Sequence, residues 1–273
     1  MAESIKDKVA IVGMGCTQFG ELWDKDFDDL VIEAASEAFE DAGTEAKDIQ
    51  AAWIGTMDRL TGASLSSPLQ LQYIPVTHVE NACATGYEAI RNAAFAVAAK
   101  VYDLVLVVGV EKLKDYGFSG LPQRLAADKW HPVYGSHASA AGRYALAATR
   151  YFYRYGLSRT GGKEMLAKVS VKSHYNGARN PRAHLQREIT VEQAMNAPII
   201  AWPLGLYDCC GVTDGAAAAI LCRTEDAKRF RKDYITIKGV DVCCGPGQGK
   251  VRTDYDFTHW EETERAAKVV YEQ

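Results

Sequence analysis

Short apolar runs alternate with amphipathic segments in the first part of the chain. Residues 8–15, 51–57 and 103–110 are largely apolar, as strands covered on both faces of a sheet are. Residues 26–43 place apolar side chains at helical spacing, with acidic residues in the first turn and a glycine at the end, which predicts a helix. Residues 76–80 predict a further strand. This alternation of strands and helices predicts an α/β sheet.

The pattern changes in the middle of the chain. Residues 111–205 contain few strand-like runs and many aromatic and basic side chains, which predicts a mostly helical insertion at one edge of the sheet. Residues 214–222 are again buried in character, although their run of alanines is equally compatible with a strand or a helix. Residues 234–244 predict another strand, and residues 259–273 predict a helix with an apolar side.

Composition narrows the class of protein. Apolar residues make up 48% of the sequence and charged residues 24%, which is typical of a soluble globular protein. The net charge of −4 argues against a nucleic-acid-binding surface. No apolar run reaches the roughly 18 residues of a membrane-spanning helix, and the N-terminus lacks the pattern of a signal peptide. We therefore expect a cytoplasmic protein.

The seven cysteines do not form the pattern of a secreted disulfide framework. Their number is odd, and two pairs are vicinal, Cys209–Cys210 and Cys243–Cys244. Adjacent cysteines do not easily place both sulfurs on one tetrahedral metal, and the usual spacing of two intervening residues is absent. We expect no metal site, and we expect any cysteine that matters to act through its reactivity.

Cys83 is the candidate for such reactivity, because it lies where the strand at 76–80 gives way to a helix predicted over 84–100. Orphan backbone N–H groups and the helix dipole make a helix start electropositive, which favours the thiolate form of a cysteine. A thiolate attacks carbonyl carbon, and nearby N–H groups can receive the oxyanion that forms. A cysteine here can equally be a small buried hydrophobic residue, so these residues alone leave both roles open.

The sequence around Cys83 resembles a known family. The stretch "VENACATGYEAIRNAAFAVAAKVYDLVLVVGVEKL" is similar to the nucleophile segment of the thiolase superfamily. The match is closest to the branch of the sterol carrier protein x, or lipid-transfer-type, thiolases and acetyl-CoA acetyltransferase-like proteins. The stretches "KSHYNGARNP" and "PLGLYDCCGVTDGAAAAIL" resemble the insertion and the following strand of the same branch, and "VAIVGMGCTQFG" extends the resemblance over nearly the whole chain.

The resemblance implies a layered αβαβα thiolase fold. The N-terminal thiolase half would occupy residues 1–232, with the helical insertion at about 111–205, and residues 233–273 would begin the C-terminal half. Family members also carry a histidine and a second cysteine or histidine in glycine-rich motifs near the C-terminus. Neither motif is present in this sequence. We therefore expect the C-terminal half, and with it the catalytic site, to be incomplete in this chain.

By the same resemblance, Cys83 is the acylated nucleophile in the thiolytic cleavage of a 3-oxoacyl-CoA by CoA. Coenzyme A is then a substrate, and we expect no permanently bound cofactor. His137 and His174 lie in the insertion, where the family places its CoA-contacting loops, so we expect them to contact CoA. The stretch "EKLKDYGFSGLP" matches branch members with substrates bulkier than acetoacetyl-CoA, among them benzoylsuccinyl-CoA.

The resemblance also implies partners and leaves two alternatives. A homodimer formed through the sheet edge is the habit of the superfamily, and branch members often associate with a small OB-fold protein that carries a zinc ribbon. Some relatives are retro-aldolases on steroid side-chain CoA esters and use no acyl-cysteine, whereas the retention of Cys83 favours a thiolase. The missing C-terminal motifs favour a third hypothesis, a non-catalytic scaffold or lipid-carrier subunit.

Overall fold

The computed structural model describes residues 4–117, 139–245 and 255–273. The regular elements follow in chain order: β1 Val9–Cys16, α1 Phe27–Ala42, β2 Ala51–Gly55, α2 Ala63–Ser66, β3 Val76–Val79, α3 Thr85–Ala98, β4 Leu104–Glu111, α4 Ala140–Arg154, α5 Arg159–Gly177, α6 Val191–Met195, β5 Ile199–Ala201, β6 Leu204–Gly205, β7 Gly215–Arg223, β8 Ile235–Thr236 and α7 Glu261–Glu272. In the part of the chain that the structure describes, none of these helices has the length and apolar character that a membrane crossing requires.

Two compact units make up the chain. The first contains Met1–Asp115, Thr213–Cys243 and Thr263–Gln273, and the second contains Tyr116–Val212 and Cys244–Glu262. The first unit holds the large sheet with α1 and α3, and the second holds α4, α5 and α6 with the β5–β6 hairpin. The assignment of the two thiolase halves predicted above is a separate question and stays a prediction.

The first unit is built on one mixed sheet with the strand order β3-β2-β4-β7-β1-β8. β2 runs parallel to both β3 and β4, whereas β7 runs antiparallel to both β4 and β1. The alanine run left open between strand and helix is therefore a strand, because β7 pairs along its length with two neighbours. Its small side chains, such as Ala216 and Ala218, lie in the core. The predicted α/β sheet is confirmed.

The strand predicted over 234–244 is wrong in length, because only Ile235–Thr236 forms a strand. The N–H of Ile237 still donates to Val9 O at 2.9 Å. Beyond it the backbone finds a different partner, since the N–H of Val240 donates to the side-chain oxygen of Gln273 at 3.1 Å. The end of α7 thus replaces the strand ladder at this edge of the sheet.

Small residues allow α1 to pack closely on β1. A Cβ atom at Gly15 would overlap the carbonyl oxygen of Ala34, and one at Gly13 would overlap that of Ala38. Both alanines are fully buried. The helix begins at a capping box in which Asp26 accepts from the Asp29 N–H at 2.9 Å, which satisfies one of the orphan donors of the first turn.

The alanine-rich helix α3 packs on β2 and β4. Ala89, Ala93 and Val97 are buried on one side of α3, in a cluster with Trp53 of β2 and Val105 of β4. Because alanine side chains keep the helix close to the strands, the start of α3 is held at a defined position next to the ends of β2 and β3. This position is where the sequence places Cys83.

The second unit has a smaller described core. Ala167, Ile189 and Ala194 form its cluster of buried residues. A buried ion pair joins Lys163 of α5 to Asp208 in the turn after β6. The charge of Asp208 is stabilised by further donors, since Asp208 also accepts from Ser170 and from the N–H of Gly205, and the turn leading to Cys209 is therefore fixed to α5.

Candidate active site

The carboxyl ends of three parallel strands meet at one edge of the sheet in the first unit. β2 ends before Thr56, β3 ends before Glu80, and β4 ends at Glu111. Because β2 lies between β3 and β4 and runs parallel to both, the segments that follow the three strands leave the sheet on the same side. In open α/β sheets this edge is where ligands bind.

Cys83 lies at this edge, in a 3-10 turn, Ala82–Ala84, that leads directly into α3. Its side chain is exposed and it forms no disulfide. The sequence predicts it at the start of the helix, and the structure places it in the turn two residues before α3 begins. The alternative of a buried hydrophobic cysteine does not hold for this position. Its catalytic role stays a prediction.

Side chains on both sides of Cys83 organise the turn. The Thr85 hydroxyl donates to Ala82 O at 2.6 Å and accepts from the Asn81 N–H at 2.9 Å. The carboxylate of Glu80 accepts from the Ala82 N–H at 2.6 Å. These bonds fix the backbone that carries the sulfur. The sequence analysis did not single out Thr85, although a threonine two residues after the candidate nucleophile is visible in the sequence.

The same edge carries the carboxyl group of Glu111, a residue that the sequence analysis did not single out. One carboxylate oxygen accepts from the Met57 N–H at 2.7 Å, and the Thr56 hydroxyl donates to the other at 3.5 Å. Burial raises the pKa of Glu111 to about 7, and the nearby carboxylates of Asp58 and Glu80 add to the rise, whereas the hydrogen bonds oppose it. Glu111 therefore changes its charge near neutral pH.

His78 ties β3 to the end of β2. Its Nε2 lies 2.8 Å from Thr56 O. Since a carbonyl oxygen only accepts, Nε2 carries the proton in this hydrogen bond. The Thr56 hydroxyl in turn accepts from the Asp58 N–H at 3.0 Å. The ends of the three strands are thus connected through one network that includes His78, Thr56 and Glu111.

A comparison of the sequence with known protein families shows which family this chain belongs to. Residues 9–225 match the family described as "Thiolase, N-terminal domain". The chain belongs to the thiolase superfamily.

Curated thiolase relatives agree with this assignment. The chain is 40% identical over 238 residues to an acetyl-CoA acetyltransferase of Methanothermobacter thermautotrophicus, covering 84% of this chain and 61% of that protein. It is 33% identical over 274 residues to the benzoylsuccinyl-CoA thiolase subunit BbsB of Thauera aromatica, covering 98% of this chain and 69% of that protein. The chain thus spans about three fifths of the length of the acetyl-CoA acetyltransferases that it matches.

A solved structure shows the same fold. The chain superimposes on the Ltp2-ChsH2(DUF35) aldolase with a TM-score of 0.85 and 25% sequence identity, covering 99% of this chain and 70% of that chain. Sterol carrier protein 2 sequences are also among the relatives, so the predicted sterol carrier and lipid-transfer branch is confirmed. The predicted thiolase-like fold is confirmed as well.

The structure describes only one of the two histidines that are predicted to contact CoA. His137 lies outside the described residues. His174 lies in α5 of the second unit, whereas Cys83 belongs to the first. The Nδ1 of His174 is 2.9 Å from Arg187 O, and its ring contacts the edge of Tyr207. These contacts fix the ring against a neighbouring loop, and contact with CoA stays a prediction.

Of the vicinal cysteines, Cys209, Cys210 and Cys244 belong to the second unit, and Cys243 ends a segment of the first unit. Burial raises the pKa of Cys209, and the neighbouring Asp208 carboxylate adds to the rise. The thiolate, which is the nucleophilic form, is therefore disfavoured at Cys209. Among residues 4–117, 139–245 and 255–273, no group of three or more His, Cys, Asp or Glu side chains is placed to hold a metal ion.

Proposed function

We propose that the protein is a thiolase-type acyltransferase that cleaves a 3-oxoacyl-CoA with CoA through a thioester on Cys83. The observation that carries this proposal is the exposed Cys83 in the turn between β3 and α3, at the shared edge of the parallel strands, in a chain of the thiolase superfamily. The activity is a proposal, since the chain spans about three fifths of the length of the acetyl-CoA acetyltransferases that it matches. Coenzyme A is a substrate in this reaction.

In the proposed reaction the Cys83 sulfur attacks the 3-oxo carbonyl carbon of the substrate. The C2–C3 bond then breaks, and its electron pair stays on C2 of the leaving CoA thioester, which takes up a proton. The acyl group remains on Cys83 as a thioester. The thiol of free CoA loses its proton, attacks this thioester and carries away the acyl group, which regenerates the cysteine.

A cysteine-specific mass shift tests the proposal. Intact-mass measurement after incubation with a 3-oxoacyl-CoA is expected to show one acyl adduct, and Cys83→Ser is expected to lose it together with thiolytic turnover. Cys210→Ser is the matched control, because Cys210 is also an exposed thiol but lies in the second unit. An adduct that persists in Cys83→Ser and disappears in Cys210→Ser contradicts the proposal.

A retro-aldolase is the second candidate function. It is favoured by the high structural similarity to the Ltp2-ChsH2 aldolase. An aldolase acting on a steroid side-chain CoA ester needs no acyl-cysteine, so its C–C cleavage would survive in Cys83→Ser. A protein that cleaves neither class of CoA ester, alone or with a partner, would instead match the hypothesis of a scaffold or lipid carrier.

A bulky acyl group and a second subunit belong to the same proposal. One relative at 33% identity is a subunit of an enzyme named for benzoylsuccinyl-CoA, so we propose an aromatic or similarly bulky 3-oxoacyl-CoA as substrate. The aldolase of similar structure is named for two proteins, which supports a small partner subunit, expected to be an OB-fold protein with a zinc ribbon, in addition to a homodimer. Native mass spectrometry of the purified assembly tests both partners, and a monomer at physiological concentration contradicts them.

A further inference from the structure

Ala82, the residue before the candidate nucleophile, has a left-handed backbone conformation with φ of 46°. This conformation is unfavourable for a residue with a Cβ atom, because the Cβ crowds the following carbonyl oxygen. Such a residue keeps the conformation only when surrounding contacts hold it there. The direction in which the backbone enters Cys83 therefore depends on those contacts.

Two side chains bond the two polar groups of Ala82. The Glu80 carboxylate accepts from its N–H, and the Thr85 hydroxyl donates to its carbonyl oxygen, each at 2.6 Å. The Thr85 hydroxyl also accepts from the N–H of Asn81 at 2.9 Å. A hydroxyl has one proton to donate, and that proton is used on Ala82.

The position of Thr85 is itself fixed by the sheet. Its side chain is buried, with 7% exposed. Its methyl group lies directly over Gly55 at the end of β2, since a Cβ atom on Gly55 would be 2.9 Å from Thr85 Cγ2. The methyl group thus anchors the residue on the strand, while the hydroxyl group reaches back to the turn.

We propose that Thr85, together with Glu80, is a positioning residue that holds Ala82 in its left-handed conformation and so directs the Cys83 sulfur. The inference rests on the proposed function, because the direction of this sulfur matters only if Cys83 is the nucleophile. The reaction is sensitive to such positioning, since a displacement of about 1 Å can lower a rate by about a hundredfold.

Two substitutions of Thr85 separate its two groups. Thr85→Val keeps the methyl group and the shape but removes the hydroxyl, and Thr85→Ser keeps the hydroxyl but removes the methyl. The rate of Cys83 acylation by a 3-oxoacyl-CoA is expected to fall by about 10- to 100-fold in Thr85→Val and to stay within about threefold in Thr85→Ser. Alkylation of Cys83 by iodoacetamide is expected to change less than about threefold in both variants, because it needs only an exposed, ionisable thiol.

A second substitution tests the proposed cause directly. Glycine adopts positive φ as readily as negative φ. Adding Ala82→Gly to Thr85→Val is therefore expected to recover at least about half of the lost rate on a logarithmic scale. Mere loss of packing around Thr85 would not be repaired by a glycine at position 82.

The inference is overturned if Thr85→Val acylates at the wild-type rate, or if Ala82→Gly recovers nothing. Failure of the proposed function looks different. In that case the wild-type protein itself forms no acyl adduct with the 3-oxoacyl-CoA, although iodoacetamide still labels Cys83, and both proposals fall together.

Discussion

Two carboxyl groups at the ends of neighbouring strands in the first unit, Asp214 and Glu111, have opposite electrostatic environments. Asp214 precedes β7 and is fully buried, and it accepts from Lys112 Nζ at 2.9 Å, from the Lys114 N–H at 2.8 Å and from the Leu22 N–H at 3.1 Å. Glu111 ends β4, opposite Gly215 in the register, and it accepts from an amide N–H and a hydroxyl. One carboxylate has a buried cation beside it, and the other has two neighbouring carboxylates.

The electrostatic consequences are opposite as well. Burial alone would raise the pKa of Asp214, but the Lys114 amide and the Lys112 ammonium outweigh it, so the pKa is lowered. Burial raises the pKa of Glu111 to about 7, because its two hydrogen bonds offset the burial only in part and the neighbouring carboxylates add to it. The Asp214–Lys112 pair thus anchors the sheet where the chain leaves and re-enters the first unit. Glu111, in contrast, is a carboxyl group that titrates near neutral pH at the edge that carries Cys83.

Removing the charge of Asp214 is expected to have the largest effect on stability. Asp214→Asn leaves the Lys112 ammonium buried without its main partner, and breaking a buried pair in this way costs about 3–5 kcal/mol. The midpoint of urea unfolding at pH 7 measures the loss. A loss of this size would show that the paired carboxylate anchors the sheet.

The same lysine provides the control for that experiment. Lys112 also pairs with Asp115 at 3.0 Å, but the Asp115 side chain is 59% exposed. Because exposed pairs contribute about 0–1 kcal/mol, Asp115→Asn should barely move the urea midpoint. Equal losses in the two variants would show that the buried carboxylate is no anchor.

Glu111→Gln is expected to have the next largest effect on stability. Unlike Asp214→Asn, it should make the protein more stable than wild type at high pH. The folded pKa of Glu111 is raised from 4.5 to about 7. Its contribution to stability is therefore complete below about pH 4.5 and is lost as the pH rises through 7. The loss amounts to about 3 kcal/mol by linkage. Glutamine stays neutral, so the variant should gain stability relative to wild type as the pH rises from about 5 to about 8, as measured by urea unfolding at each pH.

Glu88 supplies a control with the reverse pH dependence. The hydrogen-bonded Arg91 guanidinium lowers the pKa of Glu88, so the stability from this carboxylate is lost as the pH falls, not as it rises. Glu88→Gln should therefore approach wild type at acidic pH and be less stable at neutral pH. If Glu111→Gln shows the same pH dependence as Glu88→Gln, the pKa of Glu111 is not raised.

The sequence predicted the elements that place Cys83 but not the groups that surround it. Apolar runs predicted β2 and β4 because burial on both faces leaves a continuous signal, and the resemblance selected Cys83 among seven cysteines. The role of Glu111 depends on the Met57 amide, 54 positions earlier in the chain. Pairings at that separation follow from strand order, which the local pattern does not encode.

The left-handed Ala82 was hidden for a related reason. Alanine gives no sign of positive φ in a sequence, whereas a glycine would have done so. The extra length predicted for the strand at 234–244 had a different cause, since alternating apolar residues continue past Ile237, the last residue of this segment whose N–H bonds to β1. Hydrophobic pattern reports burial, and it does not report where a hydrogen-bonding neighbour ends.

Asp58→Asn is expected to have the smallest effect, and this effect is on the pKa of Glu111. The Asp58 carboxylate raises the pKa of Glu111 by repulsion, so its removal should lower the pH at which Glu111 titrates. The Asp58 N–H still donates to Thr56, so the local backbone is retained. Carbon-13 NMR of the Glu111 carboxyl between about pH 5 and about pH 9 measures the midpoint in both proteins. A midpoint that stays in place would mean that repulsion from Asp58 does not contribute to the raised pKa of Glu111, which would then depend on burial and on the Glu80 carboxylate.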